Sequence, residues 1–86
     1  MSWDNDARNI LKAEIVRRGV SYDRLVKLLD DIGVEETPRS IASKMSRGSF
    51  SFVFFLQCMK ALGAESVTIT LPNAQAERTS IKNSKM

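Results

Sequence analysis

The residues from Thr37 to Gly48 have the types and spacing that a nucleic-acid-binding helix needs. Thr37 is a good N-terminal cap, Pro38 suits the first helical position, and Gly48 supplies the left-handed residue that ends a helix. Ile41 and Met45 lie four residues apart and are predicted to face the core. The side chains left outside are short and polar or basic: Arg39, Ser40, Ser43, Lys44 and Arg47.

Such a helix can enter the major groove of DNA, where Arg and Lys bond base edges and small side chains allow a close approach. The charge distribution favours this chemistry. Acidic side chains outnumber basic ones in residues 21–37, whereas residues 38–60 contain four basic side chains and no acidic one. Exposed basic residues on a short helix also serve solubility, so charge alone leaves both interpretations open.

Catalytic and metal-binding residue types are scarce. The chain has no histidine, which removes the commonest general base and metal ligand, and it shows no paired-carboxylate motif. We therefore predict that the protein is not an enzyme and needs no metal or cofactor. Cys58 is the single cysteine, and we expect it to pack as a small hydrophobe. A chain without a possible internal disulfide suits the cytoplasm.

The length and hydropathy pattern predict one small globular domain. Eighty-six residues leave no room for a second core. No apolar run reaches eighteen residues, and residues 1–6 are too polar and acidic for a signal peptide. We therefore expect no membrane contact, and no small-molecule ligand is implied.

Two amphipathic helices are predicted ahead of the helix at residues 38–46. The first runs from about Asp4 to Arg18 and stops at Gly19. The second opens after the cap Ser21 and stops at Gly33. The inner stripe of the second helix is predicted to be Leu25, Leu28, Leu29 and Ile32. This second helix would brace the helix at 38–46, as in a helix-turn-helix.

A fourth helix is predicted after the cap Ser51, and it stops at Gly63. Residues 50–55 alone would also suit a strand. The core stripe of this fourth helix is predicted to be Phe52, Phe55, Leu56, Met59 and Leu62. A second apolar side then remains: Val53, Phe54, Cys58 and Ala61. A helix that is apolar nearly all round needs a cover, and we expect a partner subunit to contact Phe54 and Cys58.

The alternating pattern of residues 66–71 predicts one β-strand that ends at Pro72. A single strand cannot satisfy its own backbone, so we expect it to pair with the same strand of a second copy in a homodimer. The dimerisation strand would contribute Val67, Thr68, Ile69, Thr70 and Leu71. The domain thus covers residues 1–72, and residues 73–86 are predicted to be a flexible basic tail.

Three stretches of the chain follow one another in a familiar order. Residues 11–25 contain a helix that ends in a basic pair and glycine, followed by a serine that opens the next helix; residues 41–48 close on an Arg-Gly step; and residues 56–63 end in Ala-Leu-Gly. Together they resemble lambda-repressor-like (Cro/C1, XRE-type) helix-turn-helix domains, and more narrowly small uncharacterised bacterial proteins of this type. The resemblance implies a mainly α, four-helix fold, here with a C-terminal β-strand added.

The resemblance also implies sequence-specific binding of double-stranded DNA by a dimeric transcriptional regulator. Matched position by position, the base-reading residues would be Arg39, Ser40, Ser43 and Lys44, with Arg47 and Ser49 nearer the DNA backbone. We also expect Arg24 to hold a phosphate. The chain departs from the family in two respects. The linker 30–37 is longer than the usual tight turn, and Tyr22 lies near the place of the usual glutamine.

A second hypothesis belongs to another class of function. The same fold would serve as a protein-interaction module that does not bind DNA. Its contact surfaces would be the acidic loop at residues 30–36, the apolar fourth helix and the free edge of the strand.

Overall fold

The computed structural model describes residues 2–71, which form four α-helices: α1 (Trp3–Arg17), α2 (Tyr22–Asp31), α3 (Pro38–Arg47) and α4 (Phe52–Ala61). The number, order and bounds of the helices agree with the prediction to within a residue or two. No strand occurs between residues 2 and 71. No helix in this range is both long and apolar enough to cross a membrane.

Each helix begins after a hydroxyl side chain that accepts a hydrogen bond from a backbone N–H of the first turn. The caps are Ser2, Ser21, Thr37 and Ser51, with N···O distances of 3.0–3.1 Å. Such a cap contributes about 1 kcal/mol to helix stability. These contacts join residues three apart in sequence, which is why the helix starts can be predicted from local sequence alone.

Gly48 ends α3 in the left-handed conformation, with φ of 72°, and it is buried against α1. A Cβ at this position would overlap the backbone carbonyl group of Asp4, in the first turn of α1. Gly48 therefore ends α3 and also allows the start of α1 to pack against the end of α3.

The core is built from apolar side chains of all four helices. Helix α3 packs against α1 and α2, and α4 packs against α2. The buried residues are Leu11, Ile15, Leu25, Leu29, Ile41, Met45, Phe54, Phe55, Cys58 and Met59. In α2 the buried stripe is narrower than predicted, because Leu28 is half-buried and Ile32 is exposed.

The side of α4 that faces the core agrees with the prediction in part: Phe55 and Met59 are buried as predicted, and the rest of the buried side differs. Phe54 and Cys58 are 3% and 0% exposed, whereas Phe52 and Leu56 are 65% and 47% exposed. The prediction that Phe54 and Cys58 contact a partner subunit is therefore wrong, because both lie inside the core of their own chain. Both sides of α4 are apolar, so helical periodicity could not identify which side packs against α2.

Residues 66–71 follow α4 as an exposed segment without helix or strand. Within the described residues, no backbone hydrogen bond joins this segment to the rest of the chain. The predicted strand needs a second copy to pair with, so its pairing stays a prediction. The predicted tail, residues 73–86, lies outside the described residues.

Candidate nucleic-acid interface

The side of α3 opposite the core carries one stripe of polar and basic side chains. Arg39, Ser43 and Arg47 are spaced four residues apart and so line up along the helix. The Arg47 guanidinium donates a hydrogen bond from Nη1 to Ser43 Oγ at 2.9 Å. Arg39, Arg47 and Ser46 are exposed, and Ser43 is half-buried. We call Arg39, Ser43, Ser46 and Arg47 the open face of α3.

Ser40 and Lys44, which were predicted to read bases, lie on one flank of α3 and are bound by Glu36. Ser40 Oγ donates a hydrogen bond to Glu36 Oε1 at 2.5 Å and accepts one from the backbone N–H of Thr37 at 2.9 Å. Thr37 and Ser40 therefore form a reciprocal capping box at the start of α3. Ser40 therefore stabilises the N-terminal end of α3 and does not extend from the open face.

Lys44 contacts both Glu36 and the Phe54 ring. Its Nζ donates to both carboxylate oxygens of Glu36, at 2.9 and 3.0 Å, and lies 4.9 Å from the centre of the Phe54 ring. The carboxylate neutralises the charge of Lys44, and the ring contact adds a cation–π attraction. We call Glu36, Ser40, Lys44 and Phe54 the Glu36 corner.

The electrostatics of this corner shift two pKa values. Burial raises the pKa of the Glu36 carboxyl, but the hydrogen bonds from Ser40 and Lys44 and the charge of Lys44 outweigh burial, so the pKa lies below its ordinary value of 4.5. Burial, together with the charge of Glu36 and against that of Lys44, raises the pKa of Cys58 to about 12. Cys58 therefore stays a protonated thiol at neutral pH, and its burial confirms that it packs as a small hydrophobe.

A groove runs along the opposite flank of α3, where that helix meets α1 and the start of α2. Its volume is about 220 Å³, and it is open to solvent. We call it the α1–α3 groove. Its lining residues are Arg8, Lys12, Tyr22, Ala42, Met45 and Ser46.

Within residues 2–71, both cations of the α1–α3 groove contact only neutral groups. Arg8 donates to Asn5 Oδ1 at 2.7 Å and to the backbone carbonyl of Ser46 at 3.5 Å. Lys12 Nζ donates to the Tyr22 hydroxyl at 3.2 Å and lies 5.1 Å from the centre of the Tyr22 ring. These contacts orient the two cations without neutralising them.

Ion pairs within residues 2–71 involve two carboxylates: Glu14 pairs with Arg17 and Arg18, and Glu36 pairs with Lys44. The four cations of the open face and the α1–α3 groove thus have no carboxylate within ion-pair distance in this part of the chain: Arg8, Lys12, Arg39 and Arg47. The open face of α3 and the α1–α3 groove therefore carry four cations whose charge is available to a phosphate.

The other predicted contact residues lie away from this region or at its end. Arg24 lines a different, open groove between α2 and α3, of about 930 Å³, where the carboxylates Asp30, Asp31 and Glu35 also lie. Ser49 is exposed in the loop after α3. The structure thus brings together Arg39, Ser43 and Arg47 and separates them from Ser40, Lys44 and Arg24. No group of three or more His, Cys, Asp or Glu among the described residues is arranged to hold a metal ion.

Four residues that line the α1–α3 groove were absent from the predicted site: Arg8, Lys12, Tyr22 and Ser46. Arg8 and Lys12 are four apart on α1, which puts them on one side of that helix. This spacing is visible in the sequence, but a basic pair on a helix is common. Only the packing of α1 against α3 shows that the pair borders the open face.

Comparison with known protein families gives a match that covers all four helices. Residues 3–67 match the family described as a domain of unknown function (DUF6471). The chain belongs to this family, whose description names no helix-turn-helix. No curated protein and no solved structure matches the chain.

Proposed function

We propose that this protein binds double-stranded DNA through the open face of α3 and acts as a transcriptional regulator. One observation carries the proposal. Arg39 and Arg47 flank Ser43 on the exposed side of a capped helix, and neither arginine is within ion-pair distance of a described carboxylate. Each guanidinium keeps its full charge, and Arg47 uses one donor for Ser43 and keeps its others, so both arginines are available to phosphates and guanine edges.

The size of the side chains supports insertion of α3 into the major groove. Ser43 and Ser46 are short, and Ala42 beside them is exposed and smaller still. A helix with short side chains approaches base edges closely, and an arginine that bonds guanine bidentately discriminates against other bases by about 1–3 kcal/mol. Arg39 and Arg47 are the residues we assign to this contact or to the adjoining phosphates.

The arrangement of α2 and α3 also supports the proposal. Helix α2 packs against α3 and precedes it, as the supporting helix precedes the recognition helix in a helix-turn-helix. The connection between them, residues 32–37, is longer than a tight turn and holds Glu36, which binds one flank of α3. The resemblance to lambda-repressor-like domains points to the same use of α3.

We further propose that the protein acts as a homodimer. Phe52, Val53 and Leu56 form an exposed apolar face on α4, which monomeric proteins usually cover. Residues 66–71 have alternating apolar side chains and a backbone without hydrogen-bond partners among the described residues, and an identical segment would supply such partners. Interface contacts would then come from Val67 to Leu71 and from the exposed face of α4, in place of Phe54 and Cys58.

The test is binding to a fluorescent mixed-sequence duplex over a series of salt concentrations. We expect wild-type affinity to fall steeply as salt rises, and the variant Arg39→Gln/Arg47→Gln to bind more weakly with a shallower salt dependence. The matched control, Lys27→Gln/Lys60→Gln, removes the same charge from exposed positions outside the proposed interface, and neither lysine has an ion pair within residues 2–71. Absence of wild-type binding at low salt, or equal losses in both variants, contradicts the proposal.

Selection of duplexes from a random pool tests the dimer. A two-fold symmetric protein selects inverted repeats with half-sites about one helical turn apart. Enriched sequences without any inverted repeat would contradict the dimer while leaving DNA binding intact.

The exposed apolar face of α4 also favours a second candidate, a protein-interaction module that does not bind DNA. The two candidates differ in the role of charge. An interaction through Phe52, Val53 and Leu56 would persist in high salt and in the Arg39→Gln/Arg47→Gln variant, whereas DNA binding would be lost under both conditions.

A further inference from the structure

We propose that the α1–α3 groove is a seat for a backbone phosphate of duplex DNA, beside the bases that α3 contacts. This inference rests on the proposed function and assigns a role to Arg8, Lys12 and Tyr22, which lie outside the helix expected to read DNA. Its ligand is the phosphodiester of a continuous strand.

Three hydrogen-bond donors converge on the groove. The Arg8 guanidinium and the Lys12 ammonium reach it from successive turns of α1, and the Tyr22 hydroxyl reaches it from the first residue of α2. Lys12 donates to the Tyr22 oxygen, so the Tyr22 O–H proton remains available for another acceptor. Two cations attract the single negative charge of a phosphodiester, and together with the hydroxyl they can donate hydrogen bonds to its two non-bridging oxygens.

The present partners of these donors are weak competitors for them. The contact from Arg8 to the Ser46 carbonyl, at 3.5 Å, is at the long limit for a hydrogen bond, and both acceptors of Arg8 are neutral. A charged acceptor forms shorter and roughly twice as strong hydrogen bonds with guanidinium and ammonium groups. A phosphate can therefore replace these contacts without first breaking an ion pair.

The position of the groove connects it to base recognition. Ala42 and Ser46 line the groove from α3, and Ser46 also belongs to the open face. A phosphate in the groove would thus lie on the strand next to the bases that Arg39 and Ser43 contact. A phosphate held at this point fixes the register and tilt of α3 in the major groove, since backbone contacts orient a protein on the duplex.

The shape of the groove favours a continuous strand over a small anion or a nucleotide. The groove is open to solvent, and its apolar lining consists of Ala42, the buried Met45 and the ring of Tyr22. It therefore offers no enclosed pocket for a base or sugar, which specific nucleotide binding requires. An open, doubly cationic groove suits a phosphate that enters and leaves with the rest of the strand.

The test compares Arg8→Gln/Lys12→Gln with Lys27→Gln/Lys60→Gln, which removes two exposed cations that also have no ion pair within residues 2–71. Both variants are first checked by thermal unfolding for wild-type stability. We expect the slope of log K against log salt to fall by about 0.9 in the groove variant, the value for one lost phosphate, and to change less in the control. Tyr22→Phe should weaken binding further without changing the slope.

The pattern across sequences separates this inference from the proposed function. Loss of a phosphate contact weakens binding to all duplexes alike, whereas Arg39→Gln/Arg47→Gln alters the preference among selected duplexes. If the α3 variant loses affinity and the groove variant behaves like its control, the groove assignment is overturned and the proposed function stands. If the wild-type protein binds no duplex, both are overturned.

A last arm distinguishes a strand from free phosphate. Inorganic phosphate is titrated into the protein while the NMR signals of the Arg8 and Lys12 side chains are followed. We expect only weak, unsaturated shifts with phosphate and large shifts with duplex. Saturation by phosphate at low concentration, without displacement by duplex, would identify a small-anion site and contradict the assignment.

Discussion

The two flanks of α3 contain similar residues and differ in what those residues can do. In the Glu36 corner, a lysine and a serine are bound by one carboxylate, and the lysine also contacts the Phe54 ring. In the α1–α3 groove, an arginine and a lysine contact an amide oxygen, a backbone carbonyl and a hydroxyl. In the Glu36 corner the positive charge of the lysine is neutralised by an ion pair. In the α1–α3 groove the positive charges of the arginine and the lysine remain available to a ligand.

The difference comes from the elements that pack beside α3, because neither flank is determined by α3 alone. Glu36 lies in the connection before α3, and Arg8 and Lys12 lie on α1. A cation that a carboxylate already neutralises offers little to a phosphate, since the ion pair must break first. The partner of each cation therefore indicates function better than the count of basic residues on a helix.

The largest effect is expected where α1 meets α3, at Gly48. In Gly48→Ala, the new Cβ would overlap the Asp4 carbonyl, and the left-handed backbone would be strained. We expect the free energy of unfolding to fall by at least about 3 kcal/mol. Gly33→Ala is the matched control, since Gly33 has a φ of 81° but no atom within 4 Å of the new Cβ, and it should cost about 1 kcal/mol.

Urea unfolding followed by circular dichroism measures both variants. Equal losses of stability would show that the approach of α1 to α3 at Gly48 is loosely packed. The α1–α3 groove would then lack the rigid frame that sets Arg8 and Lys12 beside Ser46.

The next largest effect concerns the Glu36 corner and separates stability from binding. We expect Lys44→Gln to lower the free energy of unfolding by about 1–2 kcal/mol, because the variant loses a partly exposed ion pair and a cation–π contact. Its affinity for duplex should stay within about twofold of wild type. For Arg39→Gln we expect the opposite result, an unchanged free energy of unfolding and a weaker affinity for duplex.

Glu36→Gln sharpens the same contrast, because it removes the charge that neutralises Lys44 while keeping the shape of the side chain. The released lysine lies beside the open face, so duplex affinity at low salt should rise and the salt slope should steepen by up to about 0.9. Both variants are measured by anisotropy in the folded range of temperature. Weaker binding by Lys44→Gln would mean that Lys44 leaves Glu36 to contact DNA.

Local sequence was sufficient for the helices and insufficient for the site. Each helix start depends on a Ser or Thr and a backbone N–H three residues later, so the starts at Ser21, Thr37 and Ser51 could be predicted. The buried side of α4 could not, since Phe52 and Phe54 are equally apolar and only contact with α2 buries one of them.

The contrast between local sequence and helix packing also explains which parts of the site could be predicted. The outward stripe Arg39, Ser43 and Arg47 follows from helical spacing relative to Ile41 and Met45, and the structure keeps it together. The binding of Lys44 by Glu36 depends on the path of the connection between α2 and α3, which single-residue patterns do not encode. The contribution of α1 depends on how two helices far apart in sequence pack.

The smallest expected effect is the response of the two flanks to acid. The pKa of Glu36 in the folded protein lies below its ordinary value of 4.5, so its ionised form contributes stability that is fully present above that pH. This contribution is lost as the pH falls from 4.5 through the lower pKa of the folded state. Thermal unfolding from pH 7 to pH 3 should therefore show an acid-dependent loss of stability that is smaller in Glu36→Gln, which has no carboxylate to protonate at position 36. The Arg8→Gln/Lys12→Gln variant should keep the wild-type pH profile, because no carboxylate in residues 2–71 lies within ion-pair distance of those cations. A flatter profile in the groove variant would reveal a carboxylate acting on that flank and would erase the electrostatic difference between the two sides of α3.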